Sequence, residues 1–202
     1  MDEVMYVTWP EVIDLCYKLA ENIIASKYRP DVVVAILRGG VVPALILSDI
    51  LSVEEFFAIR IKHWGIGREL YTNPIVEQMP QGKLEGKNVL LVDEVADTGK
   101  TLIRALNELA ALNPLLIKTA VLHVKPSSLI QPDYYAKKCD RWVWIFYPWS
   151  LLETLTSLAL KDVGSRAASR REVLERAIEV GRKLGVDSSK LEILKNIIDY
   201  IQ

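Results

Sequence analysis

The chain has 202 residues, 50% of them hydrophobic and 25% charged, and 25 Lys+Arg against 26 Asp+Glu leave a formal net charge of -1. Such a composition excludes disorder and collagen-like repeats, leaves room for one sizeable core, and offers no basic surface for sequence-independent nucleic-acid binding. Cys16 and Cys139 stand alone without CxxC or Cys/His spacing, excluding a disulfide framework or zinc site, and the acidic start and lack of a long apolar run point to a cytoplasmic chain with no membrane partner.

Thr8-Trp9-Pro10-Glu11 has the S/T-x-x-E form of a capping box, and Val12, Leu15, Cys16, Leu19 and Ile23 follow at helical spacing, predicting a helix over roughly 9–26. After Pro30 the β-branched run 32–37 is short, continuous and stopped by Arg38-Gly39-Gly40, which suits a strand buried on both faces. A helix over about 41–51 follows. Segments 56–61, 89–92, 117–124 and 142–146 repeat the buried-strand character, with a helix over 100–112 between two of them. Strands alternating with helices predict an α/β fold with a mostly parallel, five-stranded sheet covered on both sides.

Between the second and third strands, 62–87 is rich in Gly and Pro and weakly periodic. Loops of that length are uncommon in compact domains and usually functional, so the segment reads as a mobile active-site flap, with a surface hairpin as a compatible alternative. From Ser150 the strands stop. Ser150 and Glu153, Ser169 and Glu172, and Ser189 and Glu192 have capping-box spacing, each opening one apolar stripe: Leu151, Leu155 and Leu158; Val173, Ala177, Val180 and Leu184; Leu191, Leu194, Ile198 and Ile201. The division expected is a domain over 1–149 and a three-helix extension over 150–202.

The chemistry is concentrated in residues 89–102, where a buried strand leads to Asp93-Glu94 and then to Asp97-Thr98-Gly99-Lys100-Thr101 opening a helix. Small and hydroxyl residues at a helix N-terminus leave backbone N–H groups free to converge on an anion, aided by the helix dipole. This is a phosphate cradle without the GxxxxGK[ST] spacing of a nucleotide P-loop. Adjacent Asp93 and Glu94 can hold ribose hydroxyls or a hydrated magnesium ion carried by a phosphorylated substrate.

A strand, two acids, two apolar residues and Asp-Thr-Gly resembles the 5-phosphoribosyl-1-pyrophosphate signature of type I phosphoribosyltransferases. The resemblance implies that Asp97, Thr98, Gly99, Lys100 and Thr101 bind the 5′-phosphate and that Asp93 and Glu94 lie beside the ribose and the Mg2+. Asp97 is then also the catalytic residue, as general base or as the anion facing a developing oxocarbenium ion. Leu37-Arg38-Gly39-Gly40 looks like the family's pyrophosphate loop, and Arg68-Glu69-Leu70 resembles a flap segment whose arginine also reaches pyrophosphate. His63-Trp64 stands where that flap usually has Ser-Tyr, and His63 alone reads as a surface loop histidine.

Base recognition is implied for Lys125, Trp144 and Ile145: Lys125-Pro126 and Trp144-Ile145-Phe146-Tyr147-Pro148-Trp149 are similar to purine-subfamily segments in which the first tryptophan stacks on the base. Trp142 and Trp149 read as core tryptophans, and Pro132-Asp133-Tyr134-Tyr135 looks like a segment over the base pocket. Lys125 can only donate, which suits O6 of a 6-oxopurine. The C-terminal helices and the absence of an acid at 150 resemble instead an archaeal adenine phosphoribosyltransferase branch, and the expected reaction is adenine plus phosphoribosyl pyrophosphate giving AMP and pyrophosphate, in a homodimer. The alternatives are hypoxanthine, guanine or xanthine as the base, and a non-catalytic phosphoribosyl-pyrophosphate-sensing regulator.

Overall fold

In the computed structural model the β-branched run becomes β2 (Val32–Leu37), five of whose six residues are buried, because both faces of the strand are covered. Residues 3–65, 68–69, 73–163 and 169–196 are described, without the side chains of 64–65, 68–69 and 194–196. Val33 and Ala35 pack with α1 (Trp9–Ala25) and α2 (Val41–Ile50), while Val32, Val34 and Ile36 pack with α3 (Lys100–Ala110) on the other face. This alternation is the period of two built into a strand. The capping box of α1 forms as its spacing predicts, with Thr8 and Glu11 bonded reciprocally.

Around β2 lie β3 (Glu55–Lys62), β6 (Ile75–Gln78), β7 (Asn88–Ala96), β8 (Leu116–Val124) and β9 (Tyr134–Lys138), in the order β6-β3-β2-β7-β8-β9. Five of these strands are parallel, and β6 runs antiparallel to β3 at one edge. The sheet therefore has six strands rather than the expected five, and its fifth parallel strand is β9 instead of 142–146. Residues 144–146 form β10 (Trp144–Phe146), which pairs in parallel with β1 (Val4–Tyr6) in a separate two-stranded sheet. The segment read as a flap contains β6 and the short antiparallel pair β4 (Trp64–Gly65) and β5 (Arg68–Glu69), so the hairpin alternative holds. Gly67 and Leu70 lie outside the described residues.

Among the described residues three helices follow β10: α4 (Leu151–Val163), α5 (Arg170–Lys183) and α6 (Ser188–Asn196). Ser169 and Glu172 cap α5 as expected. The other two capping boxes do not form. The Ser150 hydroxyl turns back to the Tyr147 carbonyl within a 3-10 turn, and the start of α6 is set by Asp187, whose carboxylate accepts from Ser189 N at 2.7 Å and Oγ at 2.6 Å. Leu155, Leu158, Val173, Ala177 and Leu191 meet in a third core that also takes in Val4 and Tyr6 of β1. Ile198 and Ile201 lie outside the described residues. Both cysteines are buried, and among the described residues no helix is long and apolar enough to cross a membrane.

Candidate active site

The C-terminal ends of β2 and β7 converge on a cleft of about 620 Å³. Leu37, Arg38 and Gly39 line it from the turn between β2 and α2, and Asp93, Glu94 and Asp97 line it from β7 and the loop beyond. The two acids sit within β7 near its end, rather than after it as the strand 89–92 suggested. The Gly39 backbone lies so close to Glu94 that a Cβ there would fall 2.2 Å from the Glu94 carboxyl carbon. Arg38 is exposed, and its guanidinium donates to the Glu153 carboxylate of α4 at 2.5 Å.

Beyond β7 the chain turns through Gly99, whose φ of 78 is left-handed, into α3. The first-turn amides of α3 have no intrahelical carbonyl to serve, and Thr98, Gly99 and Thr101 line the cleft beside them. Glycine is required by space as well as by conformation, since a Cβ would lie 2.7 Å from the Ile130 side chain. Asp97 differs from its expected place in the cradle. One carboxylate oxygen accepts from Lys125 Nζ at 2.7 Å, and the other from Ser127 Oγ at 3.0 Å and Trp142 Nε1 at 3.3 Å. The side chain thus faces the Lys125 wall, and the cradle is left to backbone amides and hydroxyls. Lys100 does not line the cleft; its amide lies 3.5 Å from Thr98 Oγ1.

Lys125, Trp142, Trp144 and Ile145 form a further wall of the cleft. Lys125 is buried, its ammonium 4.6 Å from the centroid of the Trp142 ring. Trp142 is exposed instead of core, and meets Trp144 edge-on at 6.2 Å. Lys161 of α4 lies 4.7 Å from the Trp144 ring centroid. Trp149 is half-buried: it stacks on Tyr147 at 4.9 Å and donates its indole N–H to Glu94 Oε2 at 2.5 Å. Residues 132–135 do not line the cleft. Asp133 ties Lys118 and Thr119 of β8 to β9, and the Tyr134 hydroxyl meets that of Ser26 at 2.7 Å.

Beneath the acids, the buried Tyr147 hydroxyl donates to the Glu94 carbonyl at 2.9 Å, which leaves its oxygen to accept from His123 Nδ1 at 2.8 Å. Burial pushes His123 down to about 4, so the ring is neutral and carries its proton on Nδ1. Burial, with some help from Glu153, pushes the Glu94 carboxyl up to about 7 against the opposing pulls of the Trp149 N–H and Arg38. Asp93 is raised well above its ordinary value by burial and then by the Glu94 charge. A folded-state carboxyl above the ordinary 4.5 holds a proton that the unfolded chain has released. Stability contributed by Glu94 is therefore present below about 4.5 and lost as pH rises through about 7. His123 acts with the opposite slope and is common to both proteins, so the comparison between wild type and Glu94→Gln reads the Glu94 carboxyl together with its upward push on Asp93. Denaturation midpoints measured across this range should fall less steeply with pH in E94Q; parallel profiles would refute the assignment.

Sequence reasoning missed the cleft edge formed by β3 and β6. Arg60 Nε donates to Glu77 at 2.7 Å, Lys62 Nζ lies 3.5 Å from the same carboxylate, and all three line the cleft. His63, expected on the surface, is buried and also lines the cleft. Its signal was the alternation Ile59, Ile61, His63, which carries the buried face of β3 one residue past its end. The Arg68 side chain lies outside the described residues.

A family model described as the phosphoribosyl transferase domain matches residues 4–154. The chain is 31% identical over 202 aligned residues to xanthine phosphoribosyltransferase 1 of Saccharomyces cerevisiae, covering 78% of this chain and 96% of the relative. It is 34% identical to the hypoxanthine-guanine phosphoribosyltransferase of Schizosaccharomyces pombe, covering 74% of this chain and 90% of the relative. The purine phosphoribosyltransferase structure from Pyrococcus horikoshii superposes with a TM-score of 0.63 at 38% identity, over 74% of this chain and 94% of that one.

Proposed function

Since the chain belongs to the phosphoribosyl transferase family, as a purine phosphoribosyltransferase, we propose that its cleft transfers the 5-phosphoribosyl group from phosphoribosyl pyrophosphate to a 6-oxopurine, releasing pyrophosphate. The observation that carries this reading is the convergence on one cleft of the Arg38-Gly39 turn, the acids of β7, the α3 cradle and the Lys125–Trp144 wall. In this reading residues 1–149 are the catalytic domain, and the extension over 150–202 contributes Glu153, Thr154 and Ser157 to the cleft.

Each group has a separable task. The α3 amides with Thr98 and Thr101 hold the 5′-phosphate, at the positive end of the helix. Arg38 and the glycine turn take the pyrophosphate, where a guanidinium fork matches phosphoryl oxygens. Asp93 and Glu94 hold the ribose hydroxyls, and their hard oxygen donors fit Mg2+ sharing its shell with the donor substrate. When bound, that ion offsets the negative charge of the departing pyrophosphate. Asp97, held by three donors, is a stationary anion facing the sugar as positive charge develops at its C1, and an acceptor for the proton leaving the purine ring.

Base choice turns on Lys125. An ammonium has three N–H groups, so one bond to Asp97 leaves it able to donate to a purine O6. The names of the yeast relatives agree with that assignment. The adenine reading, expected from the extension, is favoured by the placement of Thr154 and Ser157 in the cleft, where hydroxyls can accept as well as donate. Incubation with phosphoribosyl pyrophosphate, Mg2+ and each of adenine, hypoxanthine, guanine and xanthine separates the two. Formation of IMP, GMP or XMP supports the first reading, AMP alone establishes the second, and no monophosphate from any base overturns both.

A further inference from the structure

Arg38 has a partner that the proposed reaction does not require. Its guanidinium is held by Glu153, which belongs to the first turn of α4 and lines the cleft together with the arginine. Both side chains are partly exposed, at 75% for Arg38 and 38% for Glu153. Ion pairs in such surroundings are weak and reversible. A carboxylate on a guanidinium occupies the same N–H fork that a phosphoryl group uses. Once displaced, Glu153 still gains from its place at the positive end of α4, so release leaves no stranded charge.

We propose that Glu153 is a built-in competitor for the pyrophosphate-binding arginine: it occupies Arg38 in the empty cleft and is displaced by the phosphoryl groups of pyrophosphate or of the phosphoribosyl donor. The inference rests on the assignment of Arg38 to pyrophosphate. Because the competition weakens pyrophosphate binding, it favours departure of the product.

Isothermal titration of magnesium pyrophosphate into wild type, Glu153→Gln, Arg38→Met and the double variant tests this. Glu153 and Arg38 are both at the surface of the cleft, so folding is not at stake. E153Q should bind pyrophosphate about fivefold more tightly, the size of one weak exposed ion pair, and the gain should vanish in the Arg38→Met background. Unchanged or weaker binding by E153Q, with normal binding by wild type, overturns the competitor role alone. An equal gain with and without Arg38 overturns it too, because the effect would then be general repulsion. If wild type binds no pyrophosphate, the assignment of the cleft itself falls.

Discussion

Asp97→Asn should lower turnover by about 10²–10⁴ while leaving affinity for phosphoribosyl pyrophosphate nearly intact. The donor is bound by the turn after β2, by β7 and by the α3 amides, none of which contacts the Asp97 carboxylate. That carboxylate instead joins Lys125, Ser127 and Trp142. Asparagine keeps the shape and removes the charge, so the fixed anion facing the sugar is lost and the proton acceptor weakened. It also leaves the buried Lys125 ammonium, 5% exposed, without its counter-ion, so a lower melting temperature should accompany the loss of rate. The double variant Asp97→Asn, Lys125→Met isolates the stability effect: its melting temperature should recover, whereas its turnover also reflects loss of the base-facing ammonium. Wild-type turnover in Asp97→Asn under single-turnover conditions would remove Asp97 from the mechanism.

Gly40→Ala is expected to be more damaging to the fold than Gly39→Ala. A Cβ at Gly40 would stand 2.4 Å from the Val92 carbonyl oxygen, 2.8 Å from that of Ile36 and 3.0 Å from Asp93 Cα. All three are backbone atoms of the central strands and have nowhere to go. Overpacking of this kind costs about 1–3 kcal/mol, occasionally more, and here any relief moves the turn away from β7. At Gly39 the obstacle is the end of the Glu94 side chain, which rotates away if it gives up the Trp149 N–H. Gly40→Ala should thus lose both stability, read by denaturant midpoint, and pyrophosphate affinity. Gly39→Ala should keep most of its stability. A fully stable Gly40→Ala variant would contradict the close packing of this turn on β7.

The elements that were legible in the sequence are those whose signal is local. Val32–Leu37 is buried on both faces, so its apolar run is unbroken, and Ser169 and Glu172 close a capping box within one turn. β9 was missed because it is an edge strand: Tyr134 and Tyr135 are half-buried and Lys137 and Lys138 exposed, leaving Ala136 as its only buried residue. Residues 144–146 carry the right composition for a strand, yet composition does not say which sheet receives it. The spacing of Ser150 and Glu153 is that of a capping box, but each side chain found a partner elsewhere. Trp142 was misread as core for a similar reason: its value lies in an indole N–H directed at Asp97, a contact between residues far apart in the chain. The cradle and the acids were readable because one strand and one helix start hold them in consecutive order.

The pairing of β1 with β10 brings residue 4 alongside residue 144. Every group assigned to the phosphoribosyl donor and described structurally falls between Arg38 and Thr101, around β2 and β7, which pair Val32 with Val89. The wall assigned to the purine requires the two ends of the domain to meet. Closing so long a loop adds only modestly to the entropy lost, but distant contacts slow folding far more than they alter stability. A nascent chain can pair Trp144 and Ile145 with β1 only once residue 146 has been added. Among the described residues β10 is the one strand neighbour of β1, so the N-terminal strand waits through the synthesis of the whole domain for its partner.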